Sequence, residues 1–164
     1  MIRFMSDCLL RVSEVVAVDV EHFKQNTLVV ERSKTDQQGE GVALYVTNET
    51  RKAISQYREK AGITHGALFR PVRRGGHIQT GRLTDVSARH IIKKRAADAG
   101  VDGFISGHSL RVGSAVSLVK AGASIVDLQV AGRWKNSQMP AHYARAEMAE
   151  RGAIARFKER EFDN

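Results

Sequence analysis

The 164-residue chain has little of what staples, links or anchors many small proteins. It has one cysteine, Cys8, two prolines, and aromatic side chains at only 6% of positions. One cysteine excludes an intramolecular disulfide and a multi-cysteine metal site. Its place in an apolar run makes it a core residue. A chain of this length buries roughly 70% of its unfolded surface, so it needs no such staple. The scarcity of proline leaves no linker and predicts one domain. With so few aromatics, base stacking is not the expected mode of nucleic-acid binding. No apolar run approaches the roughly 18 residues of a membrane-spanning helix, and the first residues lack a signal-peptide apolar region. The expectation is a cytoplasmic protein with no membrane partner.

Charge is present in excess. Lys and Arg number 26 against 18 Asp and Glu, giving a net charge of +8 and a pI near 10.0. That sign calls for an anionic partner, nucleic acid first. Residues 70–95 hold eight basic residues (Arg70, Arg73, Arg74, Arg82, Arg89, Lys93, Lys94, Arg95) against one acid, Asp85. Elsewhere 18 positive and 17 negative charges nearly cancel. The sequence describes a nearly neutral domain carrying one basic segment.

Local patterning predicts a mainly α protein with a small antiparallel β-hairpin or sheet (α+β). Residues 2–10 read as a short apolar helix. Residues 13–18 read as a second, with Ser13 as N-cap. Residues 27–32 and 42–46 are β-branched strands flanking a polar, glycine-bearing hairpin tip. A helix runs from Thr47 or Asn48 to about Ala61, closed by Gly62. A basic loop, 70–82, contains Gly75, Gly76 and Gly81. Thr84 caps a helix to about Ala99, with Ala88, Ile91, Ile92, Ala96 and Ala99 as its apolar stripe. Residues 108–121 form a helix closed by Gly122. Ser124 caps another over 125–131, closed by Gly132. Pro140 suits the first turn of a further helix, and 147–161 reads as a last, charged one.

Several polar or aromatic residues stand out against this background. Arg11 follows an apolar run. His108 and Arg111, three apart at a helix start, share a face. Lys34 lies at the hairpin tip. Trp134 is the only tryptophan, and Tyr143 follows it by nine residues. Singly, each is ordinary surface or packing. Together they fit displacement at a phosphodiester, which needs a nucleophile, an acid for the leaving oxygen, and positive charge around the developing negative oxygens. Two arginines clamp non-bridging oxygens bidentately. A histidine handles a proton or donates to phosphate, a lysine protonates the leaving oxygen, an indole N–H donates, and a phenol serves as covalent nucleophile. With two guanidiniums present the chemistry requires no metal, in keeping with a sequence without an Asp-x-Asp pair.

These motifs carry a resemblance. Leu10-Arg11-Val12-Ser13-Glu14, Arg32-Ser33-Lys34-Thr35, Ser106-Gly107-His108-Ser109-Leu110-Arg111-Val112-Gly113, and Ala131-Gly132-Arg133-Trp134 with Tyr143 resemble the tyrosine recombinases, the phage integrase family, most closely its Cre type. The resemblance runs from about residue 5 to the C-terminus. It implies the tyrosine recombinase catalytic-domain fold and site-specific recombination or integration without metal, ATP or other cofactor. It gives Arg11 the role of first catalytic arginine, with Glu14 orienting the site behind it. Lys34 becomes the general acid on the leaving 5′ oxygen, and His108 and Arg111 the His-x-x-Arg pair. Trp134 stands where many members have histidine, and Tyr143 is the nucleophile that forms a 3′-phosphotyrosine. Arg73, Arg74, Arg82, Arg89 and Lys93 are expected phosphate contacts on double-stranded DNA; such contacts position a protein without specifying sequence.

Cys8-Leu9 replace the Thr-Gly that members often carry before this leucine. Only ten residues precede Arg11, where the family has further helices and a separate DNA-clamping domain. The expectation is one catalytic domain, 1–164, truncated at its N-terminus. It is monomeric when free, and the full-length protein forms a tetramer on DNA in which the C-terminal helix docks on a neighbour; the alternative for the free chain is that this helix packs back on its own domain. It would be a bacterial or phage-encoded protein, working in the cytoplasm in association with the nucleoid, with no small-molecule substrate. Type IB topoisomerase-like nicking and closing, or a non-enzymatic DNA-binding remnant, are the alternatives.

Overall fold

The computed structural model of the chain describes residues 1–30 and 41–150. They fall into two compact units, Met1–Arg111 and a second beginning at Val112. Lys34 and the hairpin tip lie outside the described residues, as does the expected last helix beyond residue 150.

The first unit opens with α1 (Ile2–Asp7) and α2 (Val12–Ala17). α1 is shorter than the apolar run predicts. Leu9 takes a left-handed conformation, φ +49°, and the N–H of Leu10 returns to the Met5 carbonyl at 3.0 Å. That turn ends the helix yet keeps Cys8, Leu9 and Leu10 buried. α2 begins one residue earlier than expected. Arg11, not Ser13, is its N-cap residue, because Glu14, in place for a capping box, bonds the Arg11 backbone N–H (2.8 Å).

A three-stranded antiparallel sheet follows, in the order β1 (Phe23–Lys24), β2 (Thr27–Val30), β3 (Val42–Tyr45). β1 is absent from the sequence reading: two residues are too few to show alternation. In β2 and β3, Leu28 pairs with Leu44 and both face the core, while Tyr45 stays exposed. α3 (Asn48–Ala61) starts where expected. Thr47 caps it by accepting the Thr50 N–H at 3.2 Å. Gly62, at φ +62°, closes it. Asp7 fastens α3 to α1 by accepting from the Thr47 hydroxyl at 3.0 Å and from that of Thr50.

α4 (Asp85–Asp98) is capped by Thr84, whose hydroxyl accepts the Ser87 N–H at 3.1 Å. Its buried face is narrower than predicted. Ala88 and Ile92 are buried and Ala96 half-buried, but Ile91 and Ala99 are exposed. α4 packs on α2, and the core gathers Phe4, Leu10, Val15, Leu28, Leu68 and Ile92. Burying side chains of this size contributes roughly 1.5–3 kcal/mol each.

α5 (Ser109–Lys120) begins in the first unit and continues into the second, which also contains α6 (Ile125–Gly132) and α7 (Gln138–Glu150). Ser124 caps α6 by accepting the Asp127 N–H at 3.1 Å. Gly132 does not close that helix but is its last residue, and Arg133 takes the left-handed position at φ +55°. The two helices expected after Pro140 are one through Glu150. Pro140 sits in its first turn, where the missing N–H costs nothing. α6 and α7 pack together. The result is a mainly α protein with a small antiparallel sheet. No described helix is long and apolar enough to cross a membrane.

Candidate active site

Four of the singled-out residues come together in the first unit. Arg11 stands at the start of α2, where the chain is extended. Its Nη1 donates to Glu14 Oε1 at 2.6 Å, and its backbone N–H to Glu14 Oε2 at 2.8 Å. The Glu14 side chain is 2% exposed and that of Arg11 24%. One buried carboxylate thus caps a helix and fixes a guanidinium whose far side reaches solvent.

Arg111 lies in the first turn of α5 and is 1% exposed, the largest fully buried side chain among the described residues. A buried guanidinium is costly unless hydrogen-bonded. Nη1 donates to the Leu9 carbonyl, so the left-handed turn at Leu9 presents an acceptor to this arginine. The sequence marked Leu9 only as standing where family members often carry glycine, and leucine itself rarely takes that conformation.

His108 stands on the turn before α5. Its backbone N–H donates to the Ser106 hydroxyl at 3.2 Å, and the Ser106 N–H to the Ser109 hydroxyl at 3.0 Å. His108 itself is exposed; partial desolvation first, then the charges of Arg111 and Arg11, draw its ring below the ordinary histidine value of 6.5. The shift favours the neutral ring, in which one nitrogen donates and the other accepts. Gly107 lets this turn close on α2: a Cβ there would lie 2.4 Å from Val12 Cγ2 and 3.5 Å from Arg89 Cγ. The sequence offered Gly107 only as part of a motif; its packing against α2 was not legible.

Trp134 and Tyr143 come together in the second unit, with ring centroids 5.8 Å apart and planes inclined at 53°. A Schellman-type turn delivers the tryptophan. The Arg133 N–H bonds the Val130 carbonyl at 3.1 Å, and the Trp134 N–H bonds that of Gln129 at 3.0 Å. The indole then lies back on Gly132, where a Cβ would be 1.9 Å from the ring.

The basic segment divides in use. Arg73 and Arg74 are exposed on a tight loop bridged by Val72 and Ile78, in which Gly75 and Gly76 both adopt φ +82°. Arg89 and Lys93 lie one turn apart on the exposed face of α4, Arg89 beside Asp85 at 3.3 Å. Arg82 differs. Its guanidinium donates to the Val16 carbonyl at 2.8 Å and pairs with Asp19 at 2.5 Å. Chemically, the first unit offers one fixed, partly exposed guanidinium, Arg11, with a buried one, Arg111, and an imidazole, groups that suit an anion with several oxygens. The second offers a phenol supported by an indole.

A family model described as the phage integrase family matches residues 1–150, and the chain belongs to that family. Recombinase cre of Escherichia phage P1 is 26% identical over 170 residues, covering 92% of this chain and 50% of that protein. An integrase/recombinase xerD homolog of Selenomonas ruminantium is 28% identical over 144 residues, covering 81% of this chain and 42% of its own length. The chain spans about half the length of the curated relatives it matches. Among solved structures, the XerH site-specific recombinase bound to a palindromic difH substrate, in a post-cleavage complex, matches with a TM-score of 0.71 at 15% identity, over 93% of this chain and 44% of that one. The fold is that of tyrosine recombinase catalytic domains.

Proposed function

We propose that the chain is the strand-cleaving part of a site-specific DNA recombinase or integrase. Tyr143 attacks a backbone phosphorus, a 3′-phosphotyrosine forms, and the 5′ oxygen departs with a proton from Lys34. Arg11 and Arg111 hold the non-bridging oxygens, where charge develops. Glu14 orients Arg11, His108 takes up the phenol's proton as Tyr143 attacks and can then donate to the phosphate, and the Trp134 N–H donates. A 5′ hydroxyl of another strand later attacks the phosphotyrosine and reverses the step. The phosphodiester energy stays in the tyrosine link, so ATP is not needed, and the guanidiniums supply the charge a metal would bring.

The observation that carries this reading is the gathering of Arg11, fixed by the buried Glu14, with Arg111 and His108 in one unit of a phage integrase family member. The recombinase XerH, whose fold this chain shares, is bound to its difH substrate. Double-stranded DNA is the partner in this reading, with Arg73, Arg74, Arg89 and Lys93 on its backbone. The full-length protein acts as a tetramer on nucleoid DNA.

The test uses duplexes from a randomised-sequence library, in buffer with EDTA and no ATP. The reading predicts joining of the cleaved strand to a second duplex that supplies a 5′ hydroxyl, and none with Tyr143→Phe. Supercoil relaxation without strand joining would instead mark a nicking-closing enzyme. Equal joining by both proteins would overturn the assignment of Tyr143.

A further inference from the structure

Arg82 sits in the basic segment, but its guanidinium is committed to the protein. Nη1 donates to the carbonyls of Val16 (2.8 Å) and Val18 (3.4 Å), and Nη2 pairs with Asp19 at 2.5 Å. These carbonyls belong to the C-terminal end of α2, where helix groups lack internal partners and a cation is favoured. Two residues after Arg82, Thr84 caps α4. One side chain therefore ties the start of α4, which carries Arg89 and Lys93, to the end of α2. The opposite end of α2, about 9 Å away for six residues, carries Arg11 and Glu14. There Gly107 bears on Val12. α2 is held at both ends while α4 packs along it.

We propose that Arg82 is a positioning residue. It holds α2, and with it Arg11 and Glu14, in register with the DNA-facing helix, and it is not a phosphate contact. The proposal rests on the strand-cleavage reading above. Displacements of about 1 Å at a reacting centre cost on the order of 100-fold in rate, so a loosened α2 acts on the rate of cleavage and leaves DNA affinity alone.

The test uses the nicked duplex, selected from a randomised library, on which the wild-type chain forms its covalent adduct. For Arg82→Ala, the half-saturating DNA concentration and the salt slope of binding stay at wild type, while the saturated single-turnover rate falls about 10- to 100-fold. Arg82→Lys recovers part of the loss, because an ammonium pairs with Asp19 but lacks the planar fork. In NMR spectra of the free chain, Arg82→Ala shifts the backbone amides of Arg11 and Glu14. A salt slope reduced by about 0.9, the value of one phosphate contact, would overturn the proposal. So would a wild-type saturated rate, or unmoved amides at Arg11 and Glu14. If Arg82→Ala does not fold, Arg82→Lys and Asp19→Asn carry the same readouts, and wild-type behaviour of both would overturn it. A wild-type chain that forms no adduct refutes the strand-cleavage reading instead, and the amide shifts still decide the role of Arg82.

Discussion

At the scale of single residues, each unit depends on what one glycine lacks. Gly107 lets the His108 turn close on α2, and Gly132 leaves room for the indole of Trp134, which a Cβ would meet at 1.9 Å. Tryptophan cannot yield by swinging a flexible end, so Gly132→Ala must move the ring or the backbone. Cleavage by Gly132→Ala is expected to fall about 10- to 100-fold, close to the loss with Trp134→Ala, and the two together should lose little more than either alone. Additive losses, measured as single-turnover rates, would separate the glycine from the tryptophan. His108 gives a second prediction. Its folded-state value lies below 6.5, from partial desolvation and then from Arg111 and Arg11. An NMR titration should find it there, and Arg11→Gln should raise it by removing a positive neighbour. The folded state holds this proton less tightly than the unfolded chain does. Through His108, then, acid costs stability as pH falls through the ordinary histidine range. A value at or above 6.5 would contradict the electrostatic account. The polar members of the site were legible because arginine, histidine and tryptophan are conspicuous where they stand. The left-handed turn at Leu9, the resting place of the indole and the inward bonds of Arg82 were not, because each depends on partners distant in sequence or on a backbone angle that residue type does not reveal.

At the scale of elements, the caps were the most legible features. Thr47, Thr84 and Ser124 each accept the N–H three residues on, a local interaction that sequence alone specifies. Burial was less legible. The apolar stripe of α4 was read from spacing, but only Ala88 and Ile92 are buried, because the neighbouring elements cover a narrow band of the helix. The exposed remainder carries Arg89 and Lys93, and the preceding loop carries Arg73 and Arg74. Neutralising Arg74 and Lys93 therefore removes charge from the surface and leaves the buried face of α4 untouched. The double variant Arg74→Ala, Lys93→Ala is expected to weaken DNA binding and lower its salt slope by about 1.8, since each phosphate that a cation neutralises accounts for about 0.9. Binding measured across salt concentrations checks this. An unchanged slope would remove both residues from the interface.

At the scale of the molecule, net charge and site chemistry separate. The excess of +8 sits almost wholly in residues 70–95, and as a total it indicates only an anionic partner. Arg11, Glu14, His108 and Arg111 lie outside that segment, in the nearly neutral remainder, with Trp134 and Tyr143 in the second unit. The reaction class was legible from Arg11, Lys34, His108, Arg111, Trp134 and Tyr143, residue types that together match what displacement at a phosphodiester requires, whereas Glu14 entered through the family resemblance alone. The division into two units was not, since it falls inside the unbroken helix α5. The central claim is that Tyr143 becomes covalently bound to DNA. The direct measurement incubates the wild-type chain and Tyr143→Phe with nicked duplexes from the library, denatures the products, and maps any protein–DNA adduct by peptide mass. The account predicts a wild-type adduct between Tyr143 and a DNA 3′ phosphate, and none from Tyr143→Phe. An adduct at another residue, or no adduct from either protein, would contradict it.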